Sequence, residues 1–377
     1  MAEPITTLDE LHERATKVTG LSDFGADEYR EGLSVLIDSY SNDAALTPYG
    51  VKVARAGLRD VLVARLFAEA GWKANPSYED VRIERPIFVT GLPRTGTTAL
   101  HRLLCADPGN QGLELWLTAA PQPRPPRSSW PDNPFYAFMQ ANFDKHHREN
   151  PDFMGVHFIS ADSVEECWQV LRQTFRSVGF ESLAHLPSYS SWLQTKSWTP
   201  AYERHRRNLA LIGLNEPSKR WVLKNPSHLF ALDALLEVFP DALIVQTHRD
   251  PVTAIASSCS LSAQASAGQS SVFVGSVVGR DQFELWARGA EAFASARARH
   301  DASHFLDVQQ KDLIADPLAV VEEIYSRVGA ALSPEARAAV SSLDSEGAAG
   351  AAASHRYTLE EFGLSDAEVR GRFAAIF

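Results

Sequence analysis

The segment Gly91-Leu-Pro-Arg-Thr-Gly-Thr-Thr98 gathers two glycines, three hydroxyls and a guanidinium between a short apolar run, Arg85-Pro-Ile-Phe-Val-Thr-Gly91, and a helix-like stretch from Thr97 to Cys105. Strand, tight loop and helix in that order expose successive backbone N–H groups and a helix N-terminus, which together hold an anion. A loop that cleaves nucleoside triphosphates reads GxxxxGKS or GxxxxGKT, but here Thr97 follows Gly96. Without that lysine, and with no acid at a neighbouring strand end to hold magnesium, ATP or GTP hydrolysis is the poorer reading.

A second constellation lies in Val245-Gln-Thr-His-Arg249-Asp-Pro-Val-Thr-Ala-Ile-Ala-Ser257. Arg249 stands at a predicted strand tip, and Ser257 falls about two turns into the helix that follows, at roughly 1.5 Å per residue. A planar guanidinium with a hydroxyl beside it suits a terminal phosphate. An ion pair with a helix cap explains Arg-Asp-Pro equally well. Lys224 closes a third apolar run, Arg220-Trp-Val-Leu-Lys224, on the same predicted sheet edge; a solvated strand-end lysine is its alternative reading.

Taken together, these segments resemble the sulfotransferase family that uses 3′-phosphoadenosine 5′-phosphosulfate (PAPS), its bacterial branch in particular. The resemblance spans most of the chain. It implies that Pro93, Arg94, Thr95, Gly96, Thr97 and Thr98 hold the 5′-phosphosulfate, with Arg94 where many eukaryotic members carry lysine, and that Arg249 and Ser257, eight apart, hold the 3′-phosphate. Lys311-Asp-Leu-Ile-Ala-Asp-Pro317 and His355-Arg-Tyr-Thr-Leu-Glu-Glu-Phe-Gly-Leu364 extend it in the same order. The implied reaction moves a sulfuryl group from PAPS to a hydroxyl, less readily an amine, releasing 3′-phosphoadenosine 5′-phosphate (PAP). It needs no metal, and no HxxxH, HExxH or acidic calcium-loop spacing is present.

The departing 5′-phosphate oxygen gains charge in the transition state, so a nearby cation matters most there. Arg94 and Lys224 are the candidates. For the base that takes the acceptor proton, the order is His228, Glu114 and His157. His228 follows Lys224 by four residues, where the family's lysine–histidine pair is spaced by two. Glu114, in Gly112-Leu-Glu-Leu-Trp116, resembles the acid used as base in other branches; a capping glutamate is its plainer reading. His157 precedes the acids Asp162, Glu165 and Glu166.

Positioning these groups requires a sheet. Ala242–Thr247 and Phe305–Gln309 add two further candidate strands, each followed by a helical pattern starting at or near Pro251 and Pro317. Asn225-Pro226 and Asp250-Pro251 read as helix caps with proline at the first position. Apolar strands alternating with helices predict a parallel sheet covered on both faces, and the resemblance implies a three-layer, P-loop-like α/β fold. Residues 1–80 read as a helical N-terminal extension packed on the core, and residues 81–377 as the catalytic α/β domain. Within it, residues 112–200 would cover the acceptor site, with Trp130, Phe135, Phe138 and Trp192 as wall or lid and the Pro121–Pro134 stretch as loop. Helical spacing returns from Ser163 to about Phe175.

The chain has 377 residues and 45% hydrophobic content, enough for one large or two ordinary domains at about 150 residues each. A net charge of -11 argues against a nucleic-acid binder, which needs a broad basic face. Three scattered cysteines suggest a reducing compartment, and the absence of a leader or a long apolar run predicts a cytoplasmic protein. The acceptor, whether small molecule, glycan or lipid, is open at this stage, as is the oligomeric state. Two competing readings are a kinase or NTPase with a degenerate loop, distinguished by magnesium-dependent ATP turnover, and a catalytically silent nucleotide-binding protein, distinguished by PAP binding without transfer.

Overall fold

A computed structural model describes residues 3–149, 160–349, 358–374 and 376. Three helices open the chain: α1 (Leu8–Thr19), α2 (Tyr29–Asn42) and α3 (Pro48–Ala74). Thr7 and Thr47 start the first and third by accepting from Glu10 N and Gly50 N, so a hydroxyl replaces one missing intrahelical partner each time. β1 (Ile87–Gly91) then leads through the glycine-bearing loop into α4 (Thr97–Cys105). The remaining strands are β2 (Asn110–Gln111), β3 (Arg220–Lys224), β4 (Leu243–His248) and β5 (Phe305–Gln309).

The five strands form one parallel sheet in the order β2-β3-β1-β4-β5. β1 is central, with Ile87 opposite Val222 on one side and Leu243 on the other. Its neighbours come from successive crossovers in opposite directions, so the carboxyl end of β1 lies at a topological switch point, where open α/β sheets bind ligands. The period of two along β1 divides the core. Phe88 faces a cluster with Trp116, Tyr202 and Phe239, while Ile87 and Val89 face one built with Leu100 and Leu104 of α4 and Val321 and Ile324 of the Pro317–Arg327 helix. Leu11, Leu33, Leu62 and Leu66 of α1–α3 belong to the Phe88 cluster, so the N-terminal helices and the sheet share one core.

Two local expectations differ. Pro226 begins a 3-10 turn, Pro226–Phe230, and the chain breaks at Ala231 before the helix Leu232–Val238. The helical pattern from Ser163 yields only the short helix Trp168–Leu171 and a 3-10 turn. Here the backbone bonds to other segments instead: Leu115 N donates to Ser163 O, Glu165 N to Leu113 O and Cys167 N to Lys224 O. Those three bonds hold Glu165 and Glu166 alongside the end of β3. Among the described residues, no helix is long and apolar enough to cross a membrane.

Three fully buried histidines sit in this core. Burial holds His101 and His205 down to about 3 and His228 well below its ordinary value. Each is therefore neutral when folded and binds a proton only on unfolding, so its contribution to stability is present above about pH 6.5 and declines as pH falls toward the folded value. The slope is roughly 1 kcal/mol per pH unit for each histidine. His205 has no hydrogen-bond partner for either ring nitrogen, so His205→Leu should blunt the loss of urea stability between pH 7 and pH 5. An acid dependence identical to wild type would contradict this.

Candidate active site

The loop after β1 depends on backbone shapes that side chains resist. Gly91 has a φ of 141°, and a Cβ there would lie 2.5 Å from the Thr247 carbonyl oxygen. Arg94 adopts a left-handed φ of 68° without being glycine, and Gly96 one of 96°. Such conformations cost of order 1–3 kcal/mol at a non-glycine residue and persist only where the surroundings enforce them. Here the enforcement is visible. Thr95 donates to the Leu92 carbonyl at 2.6 Å, and its hydroxyl lies 2.6 Å from that of Thr247 on β4. Behind Gly96, a Cβ would approach Leu313 to 3.3 Å, so the Lys311–Pro317 motif packs the loop from beneath. α4 begins at Gly96 with no side-chain cap, which leaves its first N–H groups open to an anion.

Around this loop the predicted residues fall into two groups. Arg94 Nε donates to Ser257 Oγ at 3.1 Å, and Arg249 Nη1 donates to the Arg94 carbonyl at 3.0 Å. Residues from the phosphate loop, the tip of β4 and the Pro251–Ala265 helix thus meet at one corner. On the other side, Lys224 Nζ bonds Thr98 Oγ1 at 3.1 Å and pairs with Glu166 at 2.6 Å. The Lys224 side chain is only 4% exposed, whereas Glu166 retains 27%, so the carboxylate is the member of the pair that solvent and ligand can reach. Next to it, burial pushes the Glu165 carboxyl up and the Glu166 charge adds to this, with Lys224 opposing.

Two proposed bases lie elsewhere. His228 is fully buried against Phe88 and Tyr202, its Nδ1 is 2.6 Å from the Tyr202 hydroxyl, and its Nε2 is enclosed without a partner. It has no open surface at which to meet an acceptor. Glu114 is held by Arg124, whose Nε and Nη2 reach the carboxylate at 3.1 and 2.9 Å while the same guanidinium bonds Gln111, Gly112 and Glu216. That clamp ties Glu114 to Arg124 of the Pro121–Pro134 stretch and, through it, to Gln111 of β2. His157 lies outside the described residues. Of the proposed acceptor walls, Trp130 is core and Trp192 bonds Glu31 of α2, but Phe135 and Phe138 are exposed at 37% and 73%.

Glu166, which pairs with Lys224, is not singled out by the sequence. It appeared only as one of several acids behind His157, because its approach to Lys224 is set by the non-helical backbone bonds of residues 163–167 and not by spacing. Among the described residues no cluster of His, Cys, Asp and Glu is arranged to hold a metal ion.

A parallel sheet with a phosphate loop at its switch point, two arginines at one side and a lysine–carboxylate pair at the other defines a class of anion-transferring α/β proteins. Residues 86–334 match the Sulfotransferase family, and the chain belongs to it. It is similar over 99% of both chains to the crystal structure of sulfotransferase STF1 from Mycobacterium tuberculosis, with 54% identity and a TM-score of 0.92. It also resembles STF9 from Mycobacterium avium, with 27% identity, 98% and 95% coverage and a TM-score of 0.87. Omega-hydroxy-beta-dihydromenaquinone-9 sulfotransferase Stf3 of Mycobacterium bovis is 27% identical over 260 residues. That match covers 67% of this chain and 64% of the relative's length.

Gly91→Ala should destabilise the fold by on the order of 1–3 kcal/mol, since the new methyl meets the Thr247 carbonyl at a φ that alanine resists. Urea unfolding measures this; an unchanged midpoint would show that the turn is not enforced as described.

Proposed function

We propose that the protein transfers a sulfuryl group from PAPS to the hydroxyl of an apolar acceptor. The observation that carries this reading is the meeting of two anion-binding corners at one loop, Arg94–Ser257–Arg249 on one side and Thr98–Lys224–Glu166 on the other. A donor with two separated phosphate-type groups fits that arrangement. The open N–H groups of α4, with Thr97 and Thr98, would cradle the 5′-phosphosulfate, while Arg249 and Ser257 would take the 3′-phosphate.

Glu166 then takes the role first assigned to His228 and Glu114. It accepts the acceptor's proton as the hydroxyl oxygen bonds to sulfur, and the bond from sulfur to the 5′-phosphate oxygen breaks with its electron pair leaving on PAP. Lys224 and Arg94 stabilise the charge that develops on that oxygen. Lys224 is already oriented by two bonds, so little reorganisation is needed as the charge forms.

An apolar acceptor is supported by the exposed Phe135 and Phe138 on the Pro134–Glu149 helix. This helix bonds the segment leading to Glu166 through Gln140 and Ala161 N at 3.0 Å. The quinone lipid acceptor of the Stf3 relative points in the same direction. The three cysteines are free thiols, which fits a reducing, cytoplasmic setting.

Transfer of labelled sulfuryl from PAPS to hydroxylated isoprenoid quinols, compared with a simple phenol, tests the reading. Glu166→Gln should lower turnover by about 10²-fold or more while PAP affinity stays within about threefold, and Arg249→Ala should lose PAP binding measured by calorimetry. Full turnover in Glu166→Gln would remove the carboxylate from the mechanism. A wild-type preference for ATP with magnesium over PAP would return the loop to the kinase class.

A further inference from the structure

Enclosed arginines in this fold are bonded by the chain itself. Arg65 donates to the Phe24, Ala26 and Gln173 carbonyls and to Glu28, and Arg204 donates to Gln173 and Glu69. Arg172 is the exception. It opens the 3-10 turn after the helix Trp168–Leu171, its Nε is enclosed without a partner, and among the described residues its guanidinium enters no hydrogen bond or ion pair. A charged donor left in that state costs stability, so the position calls for a partner that the chain does not supply.

The surroundings of Arg172 connect it to the lysine–carboxylate pair. Glu165, Trp168 and Arg172 recur at helical spacing, which sets them along one side of the turn. Trp168 hydrogen-bonds Glu165, the neighbour of Glu166, and the Arg172 guanidinium lies 4.6 Å from the centre of the Trp168 ring. A Cβ on Gly179 would come within 3.0 Å of that ring, so the indole is held closely as a flat wall.

Tyr40 of α2 and Asp60 of α3 are the groups that act electrostatically on Arg172. Asp60 is exposed and paired with Arg59 instead. At Gly57, one turn earlier on α3, no atom lies within 4 Å of where a Cβ would stand, so the helix leaves room there. Burial lowers the Arg172 guanidinium only to about 10, and it is charged at neutral pH.

We infer that Arg172 sets acceptor specificity: it takes a carbonyl or carboxylate oxygen carried by the acceptor, while the apolar body of the acceptor lies against Trp168 and its hydroxyl meets Glu166. This rests on the reading of PAPS and Glu166 above. A planar guanidinium stacked on an indole suits such an oxygen. Helical rise between Glu166 and Arg172 amounts to about 9 Å, which is the separation expected between that oxygen and the hydroxyl.

Three phenols of similar shape provide the test: para-hydroxyphenylpropionate, its methyl-ketone counterpart, and para-propylphenol, whose chain ends without oxygen. Their affinities for the PAP-loaded full-length protein are read by ligand-observed NMR. The carboxylate or the ketone should bind at least about tenfold more tightly than para-propylphenol, and which of the two does so identifies the oxygen. Arg172→Met, which still covers Trp168, should bring that ratio to about one with PAP affinity unchanged; Arg172→Lys, which keeps the charge, should recover part of it. Because the ratio is taken within one variant, a general loss of stability does not move it. Equal affinities for the three phenols in the wild type, or a ratio that survives Arg172→Met, overturns the inference while the donor reading stands. A wild-type protein that binds no PAP overturns the donor reading itself, and this inference with it.

Discussion

The site depends on how closely the end of β1 can approach β4. At Gly91 the backbone comes within the space that a methyl group would need against the Thr247 carbonyl, and the chain turns there only because no side chain intervenes. From that turn, Thr95 is fixed by Leu92 and Thr247, Arg94 is carried into a left-handed conformation, and α4 starts with its N–H groups uncapped. Strain in the loop is thus held by sheet pairing, which is rigid, so the donors are arranged before any anion arrives.

Burial sets the second level of organisation. Lys224 is almost wholly enclosed and depends on Glu166 and Thr98 for its hydrogen bonds. An enclosed ammonium without such partners is costly; with them it is held in place in a region of low polarity, where charges interact most strongly. Arg124 has a comparable structural part. Its guanidinium ties together β2, Glu114, Glu216 and the proline-rich stretch, and it lies over Trp221. One buried arginine thereby secures the end of the sheet next to β3.

Much of this was legible in the sequence, for reasons that differ by element. β1, β3, β4 and β5 announce themselves as apolar runs because a parallel sheet buries both faces. The loop is readable from its glycines and from its place between strand and helix. Family resemblance, not periodicity, paired Arg249 with Ser257. β2 was missed because two polar residues, Asn110 and Gln111, carry no strand pattern. Spacing along a chain puts His228 near Lys224, but it cannot tell that the 3-10 turn after Asn225 sets the ring in the core. Nor could helical spacing from Ser163 reveal that the backbone there bonds to Leu113, Leu115 and Lys224, which is what delivers Glu166.

The account stands on two separate phosphate positions being read at once. Calorimetric titration of the wild-type protein with PAP and with 5′-AMP, which differ only in the 3′-phosphate, tests it most directly. Charge-assisted bonds from Arg249, with Ser257, to that group should make PAP bind about a hundredfold more tightly than 5′-AMP. Equal affinity for the two nucleotides would mean that the Arg249–Ser257 corner binds no phosphate, and would contradict the account.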